Sequence, residues 1–152
     1  MKQSMSPYAL PEGVQADLAR VLAYWQGLKR GDNRIPVWDD VNLSALPDLS
    51  ARLMLIEVFE KPTRLRFAMV GADIRARYRG DLEGKFADEV EARDPLRYLA
   101  SQASATLESC GPTHYRRAAG EEPHPAHGYS RLLLPMWGDG HIGMLLAAFV
   151  WE

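Results

Sequence analysis

The stretch covering residues 53–85 constrains the fold of this chain more than any other part of the sequence. Residues 53–60 are apolar on both faces of a strand pattern, and residues 64–70 alternate apolar with polar or small residues. A tight Lys-Pro-Thr connection joins these two runs, and a short helical pattern follows at residues 72–78. The stretch therefore predicts an antiparallel hairpin that leads directly into a helix, and we expect the rest of the chain to pack on this unit.

The remaining residues complete an α+β order of elements. Residues 12–29 have the spacing of an amphipathic helix, and a connector rich in Pro and Asp follows, which Trp38 is expected to anchor to the core. Asp94 and Pro95 are typical of the N-cap and first position of a helix, which is predicted to run to about residue 108. The other predicted elements are a short helix at 86–91 and strands at 113–119, 129–137 and 141–151.

Two of the predicted strands, residues 53–60 and 141–151, are apolar on both faces. Only a central strand that is covered on both sides tolerates such a pattern. We therefore predict a five-stranded antiparallel sheet in which these two strands are central neighbours and the polar run 113–119 lies at an edge. The predicted domain spans residues 14–152, and residues 1–13 form a flexible lead-in.

The composition excludes several classes of protein. The chain has 152 residues, which suits one domain, and a formal net charge of -2, which creates no positive field for nucleic acid or an acidic membrane. Its apolar runs are too short to span a bilayer, and its first residues lack the apolar region of a secretory signal. A single cysteine, Cys110, excludes an internal disulfide framework. We therefore expect a cytoplasmic protein that binds neither nucleic acid nor membrane.

Several short pieces of sequence, taken in order, resemble a known family. They are Tyr24-Trp25, Pro36 with Asp39 and Asp40, the run FAMVG at 67–71 with Ile74, Tyr78, Gly80 and Gly84, Gly111-Pro112, and the run YSRLLLP at 129–135. Together they resemble small bacterial stand-alone PAS-like proteins over nearly the whole chain from about residue 18. The resemblance implies a PAS fold, with helices between the second and third of five strands, and a sensory or regulatory module that signals through a separate partner protein.

The resemblance also implies a cavity between the concave sheet face and the short helices. Ile74 and Tyr78 are four residues apart, so they share one face of their helix. Met and aromatic side chains in such a cavity suit a small apolar or aromatic ligand, although a set of this kind is more often a packed core than a pocket. The candidate cavity residues are Phe67, Met69, Ile74, Tyr78, Phe86, Tyr98, Tyr115 and Met144.

The first predicted helix carries an apolar stripe that is a candidate dimer interface. One helix covers only part of a five-stranded sheet, so apolar residues on the outer face are expected to be exposed, and exposed apolar patches usually mark an interface. The sequence thus predicts a homodimer with Trp25 as its anchor. The candidate interface residues are Val14, Leu18, Val21, Leu22 and Trp25.

Motifs for catalysis or metal binding are not evident in the sequence. It has no nucleophile elbow, no HExxH zinc motif, no P-loop and no dinucleotide fingerprint. Cys110 lacks the Asn-Cys-Arg-type context of a flavin-photosensing PAS domain and is interpreted as an inert thiol, and haem ligation through His114 or His141 is not expected. The loop 121–127, with His124 and His127, offers metal ligands without the fixed tetrahedral set, so a solvated loop is favoured. No catalytic or metal-binding residue is predicted, and the cofactor stays undefined.

Three functions are compatible with these patterns. The first is a sensory module that binds a small molecule in its cavity and signals through protein contacts. The second is a dimerisation or interaction module without a ligand, which a fully packed core and a large apolar interface would favour. The third is a small α+β enzyme, which a pocket containing a close acid–base pair would favour.

Overall fold

The computed structural model describes residues 7–118 and 128–152. Parts of the predicted flexible lead-in (1–6) and the candidate metal loop (121–127) therefore lie outside the described residues. No helix within the described ranges is long and apolar enough to cross a membrane. The helices are α1 (Ala16–Gly27), α2 (Ala72–Tyr78) and α3 (Leu99–Ser109), and the strands are β1 (Leu53–Phe59), β2 (Arg64–Val70), β3 (Thr113–Arg117), β4 (Tyr129–Gly138) and β5 (His141–Trp151).

The five strands form one antiparallel sheet in the order β2-β1-β5-β4-β3. This order confirms that β1 and β5 are central neighbours and that the polar strand β3 lies at an edge. The helices between β2 and β3 lie on one face of the sheet and α1 lies on the other. The predicted α+β architecture is therefore present, and the fold is PAS-like.

Each face of the sheet packs a separate apolar core. The inner core joins alternate residues of the strands, such as Ile56, Phe67 and Leu145, to α2 and α3. The outer core joins the intervening residues, such as Leu53 and Leu146, to α1 and the connector. Because both faces of β1 and β5 are covered, their two-sided apolar pattern is explained by burial.

A bulge reverses the expected direction of Met69. Leu55 pairs with Met69 but Ile56 pairs with Phe67, so Ala68 is inserted without a partner and Met69 shares the outer face with Leu55. Met144 also lies on the outer face, where it alternates regularly with Leu146 and Ala148. The assignment of Met69 and Met144 to the inner cavity is therefore wrong, because one extra residue inverts the alternation at Met69 and the regular alternation of β5 turns Met144 outward.

The outer face is covered by the chain itself. Leu46 and Leu49 of the connector are buried against the sheet beside α1, and other connector residues pack around them. Leu18, Val21 and Trp25 are also buried within the protomer, and the Trp25 indole Nε1 donates to the Pro135 carbonyl at 2.8 Å. The expectation that these three residues, and above all Trp25, form an exposed dimer surface is therefore wrong.

The remaining interface candidates, Val14 and Leu22, are partly buried against the same outer core. A homodimer stays a prediction, but this stripe of α1 contributes to it only if the helix leaves the sheet. Trp38, which was expected to anchor the connector to the core, is not buried in either core. It lies against Gly138 at the surface, with 43% of the residue exposed.

Gly71 gives a first test of this packing. A methyl group at this position would overlap the backbone carbonyl of Ala51, whereas a methyl group on Gly27, at the end of α1, meets no atom. We expect Gly71→Ala to lower the free energy of unfolding by about 1–3 kcal/mol, as overpacking does. Gly27→Ala should leave it unchanged or raise it by up to about 1 kcal/mol, because alanine favours the helix. Urea unfolding measures both, and equal effects would contradict the close approach.

His114 on β3 gives a second test. Its backbone N–H donates to the Tyr8 carbonyl, so the 7–13 segment covers this sheet edge, and burial together with the nearby Arg116 lowers the pKa of the imidazole. The unfolded chain then binds this proton at a higher pH than the folded chain does. We expect the free energy of unfolding to fall as the pH decreases below about 6.5, the ordinary histidine value.

The His114→Gln variant isolates this contribution, because glutamine does not titrate. The difference in unfolding free energy between wild type and variant should favour wild type more at pH 7 than at pH 5. The pKa of His141 is shifted in the opposite direction, because hydrogen bonds to the Val58 and Asp139 carbonyls raise it. His141 is present in both proteins, so its contribution cancels in the difference. A difference independent of pH would show that burial of His114 does not shift its titration.

Candidate ligand pocket

A pocket of about 340 Å³ opens on the inner face, between β2 and the start of α3. It is lined by Phe67 of β2, by Leu96 and Leu99 just before and at the start of α3, and by Ala87 and Val90 in and just after a short 3-10 turn. All five are apolar, and three of them are almost fully buried. Its volume lies at the small end of the range of ligand pockets, which is about 300–1,000 Å³.

The charged groups at the mouth of the pocket neutralise each other. The Arg64 guanidinium donates two hydrogen bonds to the Asp88 carboxylate, at 2.9 and 2.8 Å, and also stacks on the Phe86 ring at 3.7 Å from its centre. These hydrogen bonds hold the pKa of Asp88 below its usual value. The pair bridges β2 to the 3-10 turn, so the pocket has no uncompensated charge at this side.

Two hydroxyl groups provide further polarity at the pocket. Ser101 of α3 lines it, and its Oγ accepts a hydrogen bond from the Tyr8 hydroxyl at 2.8 Å. Tyr98 also lines it, with 57% of the residue exposed, and its ring meets the Tyr115 ring edge-on. A ligand in this pocket would therefore meet apolar walls and a few neutral hydrogen-bonding groups.

The wall that contains Leu96 is not helical, which corrects the prediction of a helix from Pro95. The first α-helical hydrogen bond of α3 joins the Gln102 N–H to the Tyr98 carbonyl, and Tyr98 precedes the helix with a φ of 62°. The Asp94 carboxylate, predicted to cap the helix, instead accepts a hydrogen bond from the Tyr129 hydroxyl and pairs with Arg117. Residues 94–98 therefore form an irregular segment that borders the pocket.

Arg131, fully buried in the middle of β4, holds this irregular segment. Its Nη1 and Nη2 donate to the carbonyls of Pro95 and Arg97, at 2.8 and 2.9 Å, and its Nε donates to the Gln102 Oε1 at 2.7 Å. Burial lowers the pKa of Arg131 to about 10, so the side chain stays protonated at neutral pH. Sequence reasoning missed this residue, although a single arginine in an otherwise apolar strand was a signal of a specific buried role.

The structure divides the candidate cavity residues into several groups. Phe67 and Tyr98 line the pocket. Ile74 and Tyr78 are packed into the inner core, where the Tyr78 hydroxyl donates to the Glu91 carbonyl at 2.6 Å. Phe86 and Tyr115 make aromatic contacts: the Phe86 ring contacts Phe59, and the Tyr115 ring contacts Tyr98 and Tyr129. Met69 and Met144 are on the other face, as described above.

A larger groove of about 910 Å³ lies at the end of the sheet, between the 7–13 segment and the end of β5. Its lining is mixed, since apolar residues such as Val14 and Val150 stand beside the Arg116–Glu152 ion pair, and the N-terminal segment on one side of it is exposed, so the groove is open to solvent. Within residues 7–118 and 128–152, no three His, Cys, Asp or Glu side chains are arranged to hold a metal ion. The pocket beside Phe67 is therefore the better candidate for a small apolar molecule.

No protein-family model matches the chain, and a search of curated proteins finds no match. Among solved structures, the chain is similar to a sensory box sensor histidine kinase from Vibrio cholerae, with 15% sequence identity and a TM-score of 0.49. The similarity covers 89% of this chain and 97% of that chain.

The role of Arg131 can be tested by removing its hydrogen-bond donors. We expect Arg131→Met to lower the free energy of unfolding by at least about 3 kcal/mol, since three buried acceptors lose their donors at about 1–3 kcal/mol each. Arg30, which is exposed and paired with Asp40, provides the matched control. Arg30→Gln should have a much smaller effect in urea unfolding, because an exposed ion pair contributes little to stability. Equal losses would show that Arg131 does not hold the segment.

Proposed function

We propose that this protein is a sensory module that binds a small, uncharged, apolar or aromatic molecule in the pocket beside Phe67. The observation that carries the proposal is the pocket itself, whose walls are mainly apolar. The two charged side chains that line it in the described part of the chain, Arg64 and Asp88, form an ion pair with each other. A charged ligand would have to break this pair or remain without a counter-ion, and either is costly in an apolar site. An uncharged ligand can bind without breaking the Arg64–Asp88 pair and brings no charge that requires a counter-ion.

The short elements that border the pocket suit a ligand-responsive role. One wall is a 3-10 turn of three residues, Ala87–Glu89, and another is the irregular segment 94–98. Short elements of this kind change conformation at lower cost than long helices and central strands. In the proposed mechanism a ligand favours one arrangement of these walls, and the altered surface is recognised by a separate partner protein.

The proposal is tested first on protein purified from cells. Small molecules released by denaturation are identified by mass spectrometry, and a set of uncharged aromatic and alicyclic fragments is screened by thermal unfolding. A fragment present at about 100 times its Kd should raise the free energy of unfolding by about 2.7 kcal/mol, because it binds only the folded chain. Absence of both a released molecule and any stabilising fragment would contradict the sensory function.

A pocket-filling variant links any stabilisation to this site. Ala87→Leu adds three carbons to the pocket wall, so it should abolish the fragment effect while changing stability by less than about 1 kcal/mol. Ala68→Leu adds the same volume at the exposed bulge of β2 and should leave the fragment effect unchanged. If Ala87→Leu instead lowers stability as overpacking does, by about 1–3 kcal/mol, the space is part of the core and the proposal fails.

A further inference from the structure

A second, smaller pocket of about 250 Å³ lies where the β4–β5 hairpin meets the end of β1. Its lining includes two aromatic rings at the surface, Trp38 and Phe59, which are 43% and 39% exposed. Large aromatic side chains at the surface are enriched at protein interfaces and at sites that recognise cations. This pocket is separate from the one assigned to the sensory ligand, and the two share no lining residue.

The two rings are held in place from behind. The Trp38 indole lies against Gly138, where any larger residue would overlap it, and Phe59 contacts the Phe86 ring at 5.6 Å between centres. The Arg66 guanidinium approaches Phe59 at 5.3 Å from the ring centre. Both rings are thus held by contacts within the chain, while much of each residue stays exposed and lines the pocket.

Three acidic residues, Glu57, Glu60 and Asp139, line the same pocket as the two rings. Glu57 is neutralised by Arg66, with a distance of 2.6 Å between Arg66 Nη2 and Glu57 Oε1. Within the described part of the chain, the Asp139 carboxylate makes no ion pair, and Glu60 has only the His141 ring nearby, 4.0 Å from its Oε1. His141 is the one other titratable group in the lining, so the uncompensated charge of the pocket is that of Glu60 and Asp139.

The size and geometry of the pocket limit its occupant. Its volume is below the range of about 300–1,000 Å³ that is usual for complete small molecules, and it matches a single side chain better. The acidic groups that the structure describes are not arranged as a metal site. Among cationic side chains, arginine has a planar guanidinium that stacks on aromatic rings and donates to carboxylates at the same time.

We propose that this pocket binds an arginine side chain of a partner protein, between Trp38 and Phe59 and beside the carboxylates of Glu60 and Asp139. The same guanidinium would stack on the aromatic rings and form ion pairs with the two carboxylates, so both interactions favour arginine. The inference does not depend on the sensory function, because it rests on residues outside the ligand pocket.

The experiment compares two short peptides that differ only in charge. One contains two neighbouring arginines, and the other contains citrulline at the same positions, which keeps the shape and loses the positive charge. Binding is followed by two-dimensional NMR of 15N-labelled protein, which resolves the indole N–H signals of Trp38 and Trp137. Measurements at about pH 8 keep a protonated His141 from competing for the carboxylates.

We expect the arginine peptide to shift the Trp38 indole signal saturably, with an affinity about five-fold or more above that of the citrulline peptide. Trp38→Leu should remove this preference, and so should the double substitution Glu60→Gln and Asp139→Asn, which leaves the aromatic packing intact. Trp137→Leu is the matched control, because Trp137 is exposed to the same 43% but lines a different pocket.

The outcomes separate the explanations. Equal affinity for the two peptides would overturn the proposal, since charge would then play no part. A preference for arginine that survives both Trp38→Leu and the acid substitutions would place binding elsewhere on the surface and would also overturn it. Should Trp38→Leu fail to fold, the Glu60 and Asp139 substitutions alone decide the question.

Discussion

Arg131 lies in the middle of β4, without contact to water, and its guanidinium donates to the carbonyls of Pro95 and Arg97 and to the side chain of Gln102. A buried charge is costly unless its hydrogen bonds are satisfied, and here backbone oxygens satisfy them. Those oxygens are available because residues 94–98 are not helical. The arginine and the irregular segment therefore stabilise each other, and together they set where α3 begins and where the ligand pocket opens.

The alternation of apolar residues was enough to predict the sheet but not every side-chain direction. The two-sided apolar character of β1 and β5 follows from their central position, and sequence alone carries that information. The bulge of β2 has no comparable signal, because Ala68 fits a regular strand as well as an inserted residue. Met69 was misplaced for this reason, whereas Phe67, on the regular side of the bulge, points inward as expected. Met144 was misplaced because β5 is apolar on both faces, so its sequence does not show which set of alternate residues faces the inner core.

The connector shows a different limit of sequence reasoning. Leu46 and Leu49 are separated by Pro47 and Asp48 and flanked by short 3-10 turns, so they have no helical or strand period that predicts burial. Their place on the outer face depends on the path of the chain after α1, and the Arg20–Asp48 and Arg30–Asp40 ion pairs lie along that path at the surface. Once these leucines cover the sheet, the apolar stripe of α1 is explained by the fold of a single chain.

The pocket beside Phe67 and the proposed arginine pocket meet through one cluster near the tip of the β1–β2 hairpin. Arg64 lines the first pocket and stacks on Phe86, and Phe86 contacts Phe59, which lines the second. Arg66 lies near both rings, at 5.9 Å from Phe86 and 5.3 Å from Phe59. Contiguous contacts do not by themselves couple two sites. Coupling requires that a ligand bind more tightly to one arrangement of the 3-10 turn that carries Asp88 than to another. Because Arg64 pairs with Asp88 and stacks on Phe86, an uncharged ligand that shifts this turn without breaking the pair would move the Arg64 guanidinium with it and change its contact with the ring that supports Phe59.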